Sequence, residues 1–576
     1  MATIGSSTSN AAQAGNNAAA IVNNSSGSSN TGGSDPTSGI DWNALIEVGV
    51  SARLAKATSL DLKITQNEAK LAAYDELKAL LGTLTSATQA LRAPSGFSNR
   101  PLDVFQSRAA YLTGKGVASP ESALAVTAEV GADVGSFDVR IRQLAQAHKI
   151  ASASQPSKSE PLGQAGVFSL GTGGEAMAEI TITEDMSLNN IVGAINAEKA
   201  KSGVQASVVQ VAENEFQLVL SSVQTGQTIT GSAVSGTDVL ADLGIIAGGA
   251  VVNEVQESRQ AIITVDGIQI TRSSNEISDV MPGVTLHLYQ VTPDDPTSVI
   301  NVEIGTNLNK VKEAVLGFAE AYNAYRDFAY AQQQLPSQKN EETTVLFGDS
   351  TLRNIASAIG NAISAQVGSS ALGVIGLSLD NTNKLVLDET KLDQALLGDI
   401  SAIENLLAFK MDSSSNDLQV LQRGKGTPAA ATIDVTLDAE GKLTGAAIAG
   451  DSSMFEISGN VIKGKKGTEY EGYQFVYSGK ASKQIDVSFS AGIAEQLYNI
   501  SATAASDAEG SIKLVTDSLN EANDDMQAKA DDIRSRTEVY RTNLTQRYAK
   551  YQAAISAAES STDYLKNLID TWNNPS

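Results

Sequence analysis

With 576 residues the chain is longer than one hydrophobic core organises, and its length predicts about three to four domains. A net charge of -24 repels phosphate backbones and anionic lipid, which argues against nucleic-acid binding or membrane attachment through a basic footprint. The lack of cysteine excludes disulfides, thiol nucleophiles and Cys-ligated metals, and only His148 and His287 are present for imidazole chemistry.

Residues 1–39 carry one charged residue, Asp35, among Ser, Asn, Ala, Gly and Thr, and read as a disordered tail. With neither a basic start nor an apolar centre they do not form a secretory signal, so an exported chain would need a route without one. Asp41 is placed to cap a helix bearing Leu45, Val48, Leu60, Ile64, Leu71, Tyr74, Leu77, Leu81, Leu84 and Leu91 at mostly three-four spacing. Gly49 and Gly82 are its weak points, and Pro94, Ser95 and Gly96 end it, giving a leg segment over 40–95.

From about 100 the period changes to two. Phe137, Val139 and Ile141 alternate with Asp138, Arg140 and Arg142, as in a half-buried antiparallel strand, so 96–155 and 255–305 are expected to form a β-rich head. Ser152 to Gly174 reads as a linker into an inserted α+β module at 156–254. That module is predicted as a strand at Ile180–Thr183, a capped helix from Ser187 through Ile195, and strands at Gln205–Val211 and Glu215–Leu220. Asp266-Gly267 between alternating apolar residues predicts a hairpin, and Gly283–Leu288 and Val299–Ile304 are expected to continue its sheet.

Leu308, Val311, Val315, Phe318, Tyr322, Tyr325 and Ala329 then step by three and four, a seam helix that Pro336 follows. Shorter helices at about 350–367 and 390–409 complete a helical region over 306–410, and a β-rich insertion follows at 411–492. The last segment, 493–576, holds a helix whose seam runs through Leu519, Met526, Ile533, Tyr540, Leu544, Tyr551, Ile555, Leu565 and Trp572. Asp525 with Lys529 and Asp532 with Arg536 are spaced to pair on its exposed face.

The fold class is therefore α+β multidomain, with long terminal helices pairing as a coiled-coil-like leg and enclosing antiparallel β-rich heads. No apolar run reaches the roughly 18 residues of a membrane helix. Gly459 to Lys466 resembles a phosphate loop but has Lys466 where Ser or Thr would bind magnesium, so it reads as a basic turn. The pairs Asp294-Asp295 and Asp531-Asp532 lack the spacing of a calcium loop and read as solvated. Both histidines read as structural or surface residues, and no enzyme, cofactor or metal site is expected. The helices pair within the chain, but their length leaves surface that two or three helices of one subunit do not cover. Sister copies are thus expected partners for seam residues such as Leu71, Leu81, Leu519 and Met526.

In order along the chain, Ser38-Gly-Ile-Asp-Trp-Asn-Ala-Leu45, Ala123-Leu-Ala-Val-Thr-Ala128, Gly135-Ser-Phe-Asp-Val139 and Gln143-Leu-Ala-Gln-Ala-His148 precede Ile263-Thr-Val-Asp-Gly267. Ser274-Asn-Glu-Ile277, Gly283-Val-Thr-Leu286, Ala321-Tyr-Asn323, Gly348-Asp349 and the Arg541–Leu568 end follow. Together they resemble the flagellar hook-associated protein 2 family of filament-capping proteins, while 178–226 resembles a small module that flagellins and related proteins carry. The resemblance implies export by the flagellar type III apparatus with an export chaperone, and a homo-oligomer of about four to six copies at the extracellular filament tip. It further implies that heads form a plate, that legs contact flagellin, and that the cap promotes flagellin folding and polymerisation and prevents its loss. Leu71, Leu81, Leu519, Met526, Ile533, Tyr540, Leu544, Tyr551 and Leu565 would then be contacts to sister subunits or flagellin. An adhesin binding glycans through the heads is the alternative, and a filament or junction subunit a third reading.

Overall fold

The computed structural model describes residues 41–95, 97–173, 177–336, 344–424 and 426–573; the expected tail at 1–39 lies outside them. The longer helices, in chain order, are α1 (Trp42–Gln89), α2 (Leu188–Ala197), α3 (Leu308–Gln332), α4 (Ser350–Ile363), α5 (Glu389–Gly398), α6 (Ile400–Leu407), α7 (Ile493–Ala504) and α8 (Ser511–Asn573). The described residues divide into two compact units, one drawn from 41–88, 316–391 and 491–573, the other from 89–315 and 392–490.

The first unit is helical. Ala44 donates its N–H to Asp41 Oδ1 at 2.9 Å, satisfying a group that the first turn of α1 leaves without a helical partner. At its other end α1 buries Tyr74, Leu77, Leu81 and Leu84 completely. Phe318, Tyr322, Tyr325 and Ala329 of α3 are buried at the expected seam positions, and so are Leu352, Ile355 and Ile359 of α4 and Ile493 and Leu497 of α7. Thr85 and Ser501 share a 2.8 Å hydroxyl contact that ties α1 to α7. A hairpin of Leu377–Leu379 and Leu385–Leu387, absent from the sequence reading, is held by Asn323, whose amide exchanges bonds of 2.8 and 2.7 Å with the backbone of Leu385. Asn323 thus acts as a strand neighbour, which a helical periodicity does not reveal.

The second unit is β-rich. A five-stranded antiparallel sheet runs in the order Arg108–Lys115, Val299–Thr306, Gly135–Gln143, Ala261–Val265, Ile268–Arg272. Phe137, Val139 and Ile141 are buried and their alternating neighbours are not, as the period of two requires. Asp266 and Gly267, at φ +48° and +82°, make the tight turn with both central residues left-handed that matches strand twist. Val284–Leu288 does not continue this sheet. It pairs instead with Glu276–Met281 and Leu124–Ala128 in a separate three-stranded sheet.

The inserted module holds two sheets, Glu254–Gln256, Lys149–Ala151, Glu215–Ser222, Val204–Ala212 and Ala178–Ile182, Gly166–Thr172, Ile229–Gly236, around α2. Ser187 and Asn190 cap α2 reciprocally. Gly166–Thr172 corrects the linker reading of Ser152 to Gly174: its small residues conceal a strand that buries Phe168 and Leu170. The expected helix at 390–409 is two, α5 and α6, because Asp399 accepts from the Ser401 and Ala402 amides and starts a new one.

Between Phe409 and Ala491 two four-stranded antiparallel sheets, Phe409–Ser413, Lys483–Ala491, Ala431–Leu437, Leu443–Ile448 and Leu418–Gln422, Gln474–Tyr477, Val461–Gly464, Phe455–Ser458, lie edge to edge. Phe455, Tyr470, Tyr473 and Phe475 fill the space between them with ring contacts of 4.9 to 6.5 Å. These rings give the insertion a packed aromatic core.

Candidate assembly interface

α1 and α8 run antiparallel in one register. The rings of Trp42 and Tyr548 lie 5.1 Å apart, and Glu47 pairs with Arg541 at 2.8 Å. The guanidinium of Arg53 sits 3.8 Å over the Tyr540 ring. Arg534 donates to both oxygens of Asp61 at 2.6 Å, and Asn67 Nδ2 donates to Asn523 Oδ1 at 2.9 Å. Lys78 closes the series on Asp507, just before α8 begins. The ion pairs are exposed enough for solvent to screen them, so they choose register and orientation more than they hold the helices together.

Apolar burial supplies the attraction, and it is uneven. At the far end Ile46, Val50 and Leu544 form a buried cluster with Leu54, Tyr540 and Tyr548 against it. Toward the middle the most buried positions are small, Ala57, Ala530 and Thr537, with the Asn67–Asn523 pair beyond them. The larger seam residues Leu71, Leu519, Met526 and Ile533 are only half-buried. Alanine and threonine admit close approach of the two backbones but cover little area, so the flanking side chains keep a wet edge. A groove of about 420 Å³ lined by Lys56, Ser59, Leu60, Lys529, Asp532 and Ile533 lies along that edge.

Past Tyr548, α8 continues beyond the level of Trp42 to Asn573, roughly 37 Å at 1.5 Å per residue. Tyr551, Leu565, Ile569 and Trp572 continue the same three-four stripe as Leu544 and Tyr548, yet they are 49%, 57%, 56% and 86% exposed. The nine seam residues named from the sequence therefore fall into three groups. Leu81, Tyr540 and Leu544 pack within the chain; Leu71, Leu519, Met526 and Ile533 sit at the half-covered edge; Tyr551 and Leu565 are exposed.

Sequence reasoning missed Ile46 and Val50, and it missed Asn67, Asn523, Ala530 and Thr537, because it followed large apolar residues. Their signal was present: Asn67 fills the step between Ile64 and Leu71, and Asn523, Ala530 and Thr537 fill the steps between Leu519, Met526, Ile533 and Tyr540. On the exposed face Asp525 with Lys529 and Asp532 with Arg536 pair as predicted, at 3.9 and 2.9 Å. Asp531 accepts from Gln527 and Arg534, and both lower its pKa. Among the described residues no group of His or acidic side chains is arranged to hold a metal ion, and no helix is long and apolar enough to cross a membrane.

Three family profiles match the chain. That of the flagellar hook-associated protein 2 C-terminus covers residues 258–560, just over half of it; that of the N-terminus of the same protein covers 38–148; and that of the flagellin hook IN motif covers 167–224. The flagellar hook-associated protein 2 of Aeromonas caviae is 25% identical over 372 residues, 62% of this chain and 77% of that one. Its counterpart in Escherichia coli K12 is 29% identical over 390 residues, 64% and 78% of the two chains. A crystal structure of the D1-D2-D3 domains of the flagellar cap protein FliD from Escherichia coli aligns with 58% of this chain and 90% of that one, at 26% identity and a TM-score of 0.43.

Proposed function

The chain belongs to the flagellar hook-associated protein 2 family, and from that premise we propose how it caps the flagellar filament at its extracellular tip: through a leg built in two parts. From Trp42 to Tyr548 the leg is an intramolecular pair of α1 and α8. From Tyr551 onward the same stripe is offered to other chains. The observation that carries this reading is the continuity of that stripe across the point where α1 begins, packed at Leu544 and Tyr548 on one side and, apart from the half-buried Ile555, exposed on the other. The partners are sister subunits and flagellin, whose helices would cover Tyr551, Leu565, Ile569 and Trp572 and the half-covered edge at Leu60 and Ile533. Fully covering a side chain such as Leu565 or Ile569 is worth about 1.5 to 3 kcal/mol before the cost of association, so several have to be covered together to hold an oligomer.

The assembled cap has about four to six copies, the range of small closed rings that such a seam supports. Export through the flagellar type III apparatus with an export chaperone is the route that membership of this family supports. Capping holds arriving flagellin in place while it folds and inserts, with no covalent step. No observation favours glycan adhesion by the heads.

The test is to truncate the chain after Tyr548. The shortened protein should keep the melting of the folded units but lose oligomeric mass in solution, and a strain carrying it should release unpolymerised flagellin, as a strain lacking the gene should. An unchanged mass would move the oligomer contacts to the heads.

A further inference from the structure

The chain leaves α1 at Gln89 and turns through Leu91 to Pro94 on its way into the β-rich unit. At Ala93 that turn has a φ of +51°, in the left-handed region where a Cβ crowds the following carbonyl. Ala93 also precedes a proline, whose ring favours an extended backbone at the residue before it. A conformation disfavoured on two counts persists only where its surroundings impose it.

Those surroundings come from the insertion between Phe409 and Ala491, within the same compact unit. The guanidinium of Arg423 donates through Nη1 to the Arg92 carbonyl at 3.0 Å and through Nη2 to the Ala93 carbonyl, so its fork holds both peptide groups that flank the strained residue. The Phe409 N–H donates to the same Arg92 carbonyl at 3.2 Å, and the guanidinium lies 4.4 Å from the centroid of the Phe409 ring. Arg423 is itself aimed. It follows Leu418–Gln422, the edge strand of the insertion's second sheet, directly after a bulge between Val420 and Gln422, and a bulge redirects the side chains beside it. A Cβ on the next residue, Gly424, would run into the Glu471 carbonyl and the Tyr473 ring, so the backbone there packs as closely as glycine alone permits. Lysine is no substitute for Arg423, since an ammonium lacks the planar fork that reaches two carbonyls at once.

We propose that the insertion serves as a clamp on the segment through which the chain passes from α1 into the head, with Arg423 as the positioning residue that holds Ala93 in its left-handed turn. This does not depend on how the cap assembles. Hydrogen-exchange mass spectrometry of the full chain reads the turn through two amides bonded to it, Phe409 on the Arg92 carbonyl and Val104 on the Ala90 carbonyl, each at 3.2 Å. Arg423→Ala and Arg423→Lys should each speed exchange in the peptides holding these amides by roughly tenfold or more, through loss of the charge-assisted bonds. Ala93→Gly should slow that exchange about three- to fivefold in the otherwise unchanged chain, because relief of left-handed strain exceeds the greater chain entropy of glycine. In Arg423→Lys the turn has already relaxed, and Ala93→Gly should bring no slowing. That coupling separates a clamp from ordinary packing, which would leave the effect of Ala93→Gly the same in both backgrounds. Equal slowing in the two backgrounds would overturn the clamp, as would no slowing in the unchanged chain or unaltered exchange in the Arg423 variants. If Arg423→Ala does not fold, Arg423→Lys carries the same comparison.

Discussion

At Gly49 an added Cβ would meet Leu544 and Tyr540 at 3.6 Å, ordinary contact distance, and at Gly82 it would meet nothing within 4 Å. Both glycines lie inside α1, where each costs about 0.5 to 1 kcal/mol relative to alanine. Gly49→Ala and Gly82→Ala are each expected to raise stability by about that amount in denaturant titrations, Gly49→Ala somewhat more for its added contact. A loss at either position would mean that the helix needs the flexibility. Asp103 and Glu404 pose the opposite problem. Burial raises the pKa of each carboxyl, for Asp103 against hydrogen bonds from Phe105 and Gln106 and the charges of Arg423 and Arg108, and for Glu404 with added repulsion from Asp103. In the window between the unfolded and the raised folded values the native chain binds more protons, so stability falls as pH rises through it. Glu404→Gln should therefore stabilise the chain more at pH 8 than at pH 5, measured by urea melts at both. An equal effect at the two values would count against burial as the cause. Neither carboxylate was legible in the sequence, because burial of a polar residue depends on what folds over it.

For the elements, the question is which seam residues hold one chain together and which wait for another. Leu77→Ala and Leu81→Ala empty fully buried sites and should each cost about 2 to 5 kcal/mol of unfolding free energy, whereas Leu565→Ala should stay within about 0.5 kcal/mol in the monomer. A large monomer effect at Leu565 would mean that this stretch already has an intramolecular partner. The part-buried Asn67–Asn523 bond is expected to reinforce the register that the ion pairs select, since a slip separates the two amides. Replacing both by leucine should raise the melting temperature while making the pairing less unique, visible as a broader distribution of distances between spin labels on α1 and α8. A single sharp distance in the double variant would assign register to Asp61–Arg534 and Glu47–Arg541 instead. Helix positions and the hairpin at Asp266-Gly267 could be read ahead because they rest on local periodicity and turn chemistry. The strand Gly166–Thr172, the hairpin at Leu377–Leu387 and the split between α5 and α6 could not, since small residues or a single capping side chain decide them.

On the scale of the whole molecule, charge reversal on the exposed stripe should separate folding from assembly. Tyr551→Asp combined with Leu565→Asp should leave the circular dichroism and melting of the chain unchanged while reducing its mass in analytical ultracentrifugation. Retention of the full oligomer would remove the C-terminal stripe from the interface. Sequence alone determined the class of the molecule: long seam helices at both ends, alternating strands between, no chemistry-bearing cluster of Cys or His, and the ordered strings of a capping family. These follow from local periodicity, composition and motif order, which need no knowledge of what meets what. Tertiary structure alone decided that Ala530 and Thr537 lie deeper than Met526 and Ile533, that His148 bridges three strands, and that beyond Tyr548 the seam of α8 is, Ile555 aside, exposed. Such facts depend on the register between segments hundreds of residues apart, and a repeat of three and four is the same on a covered face as on an open one.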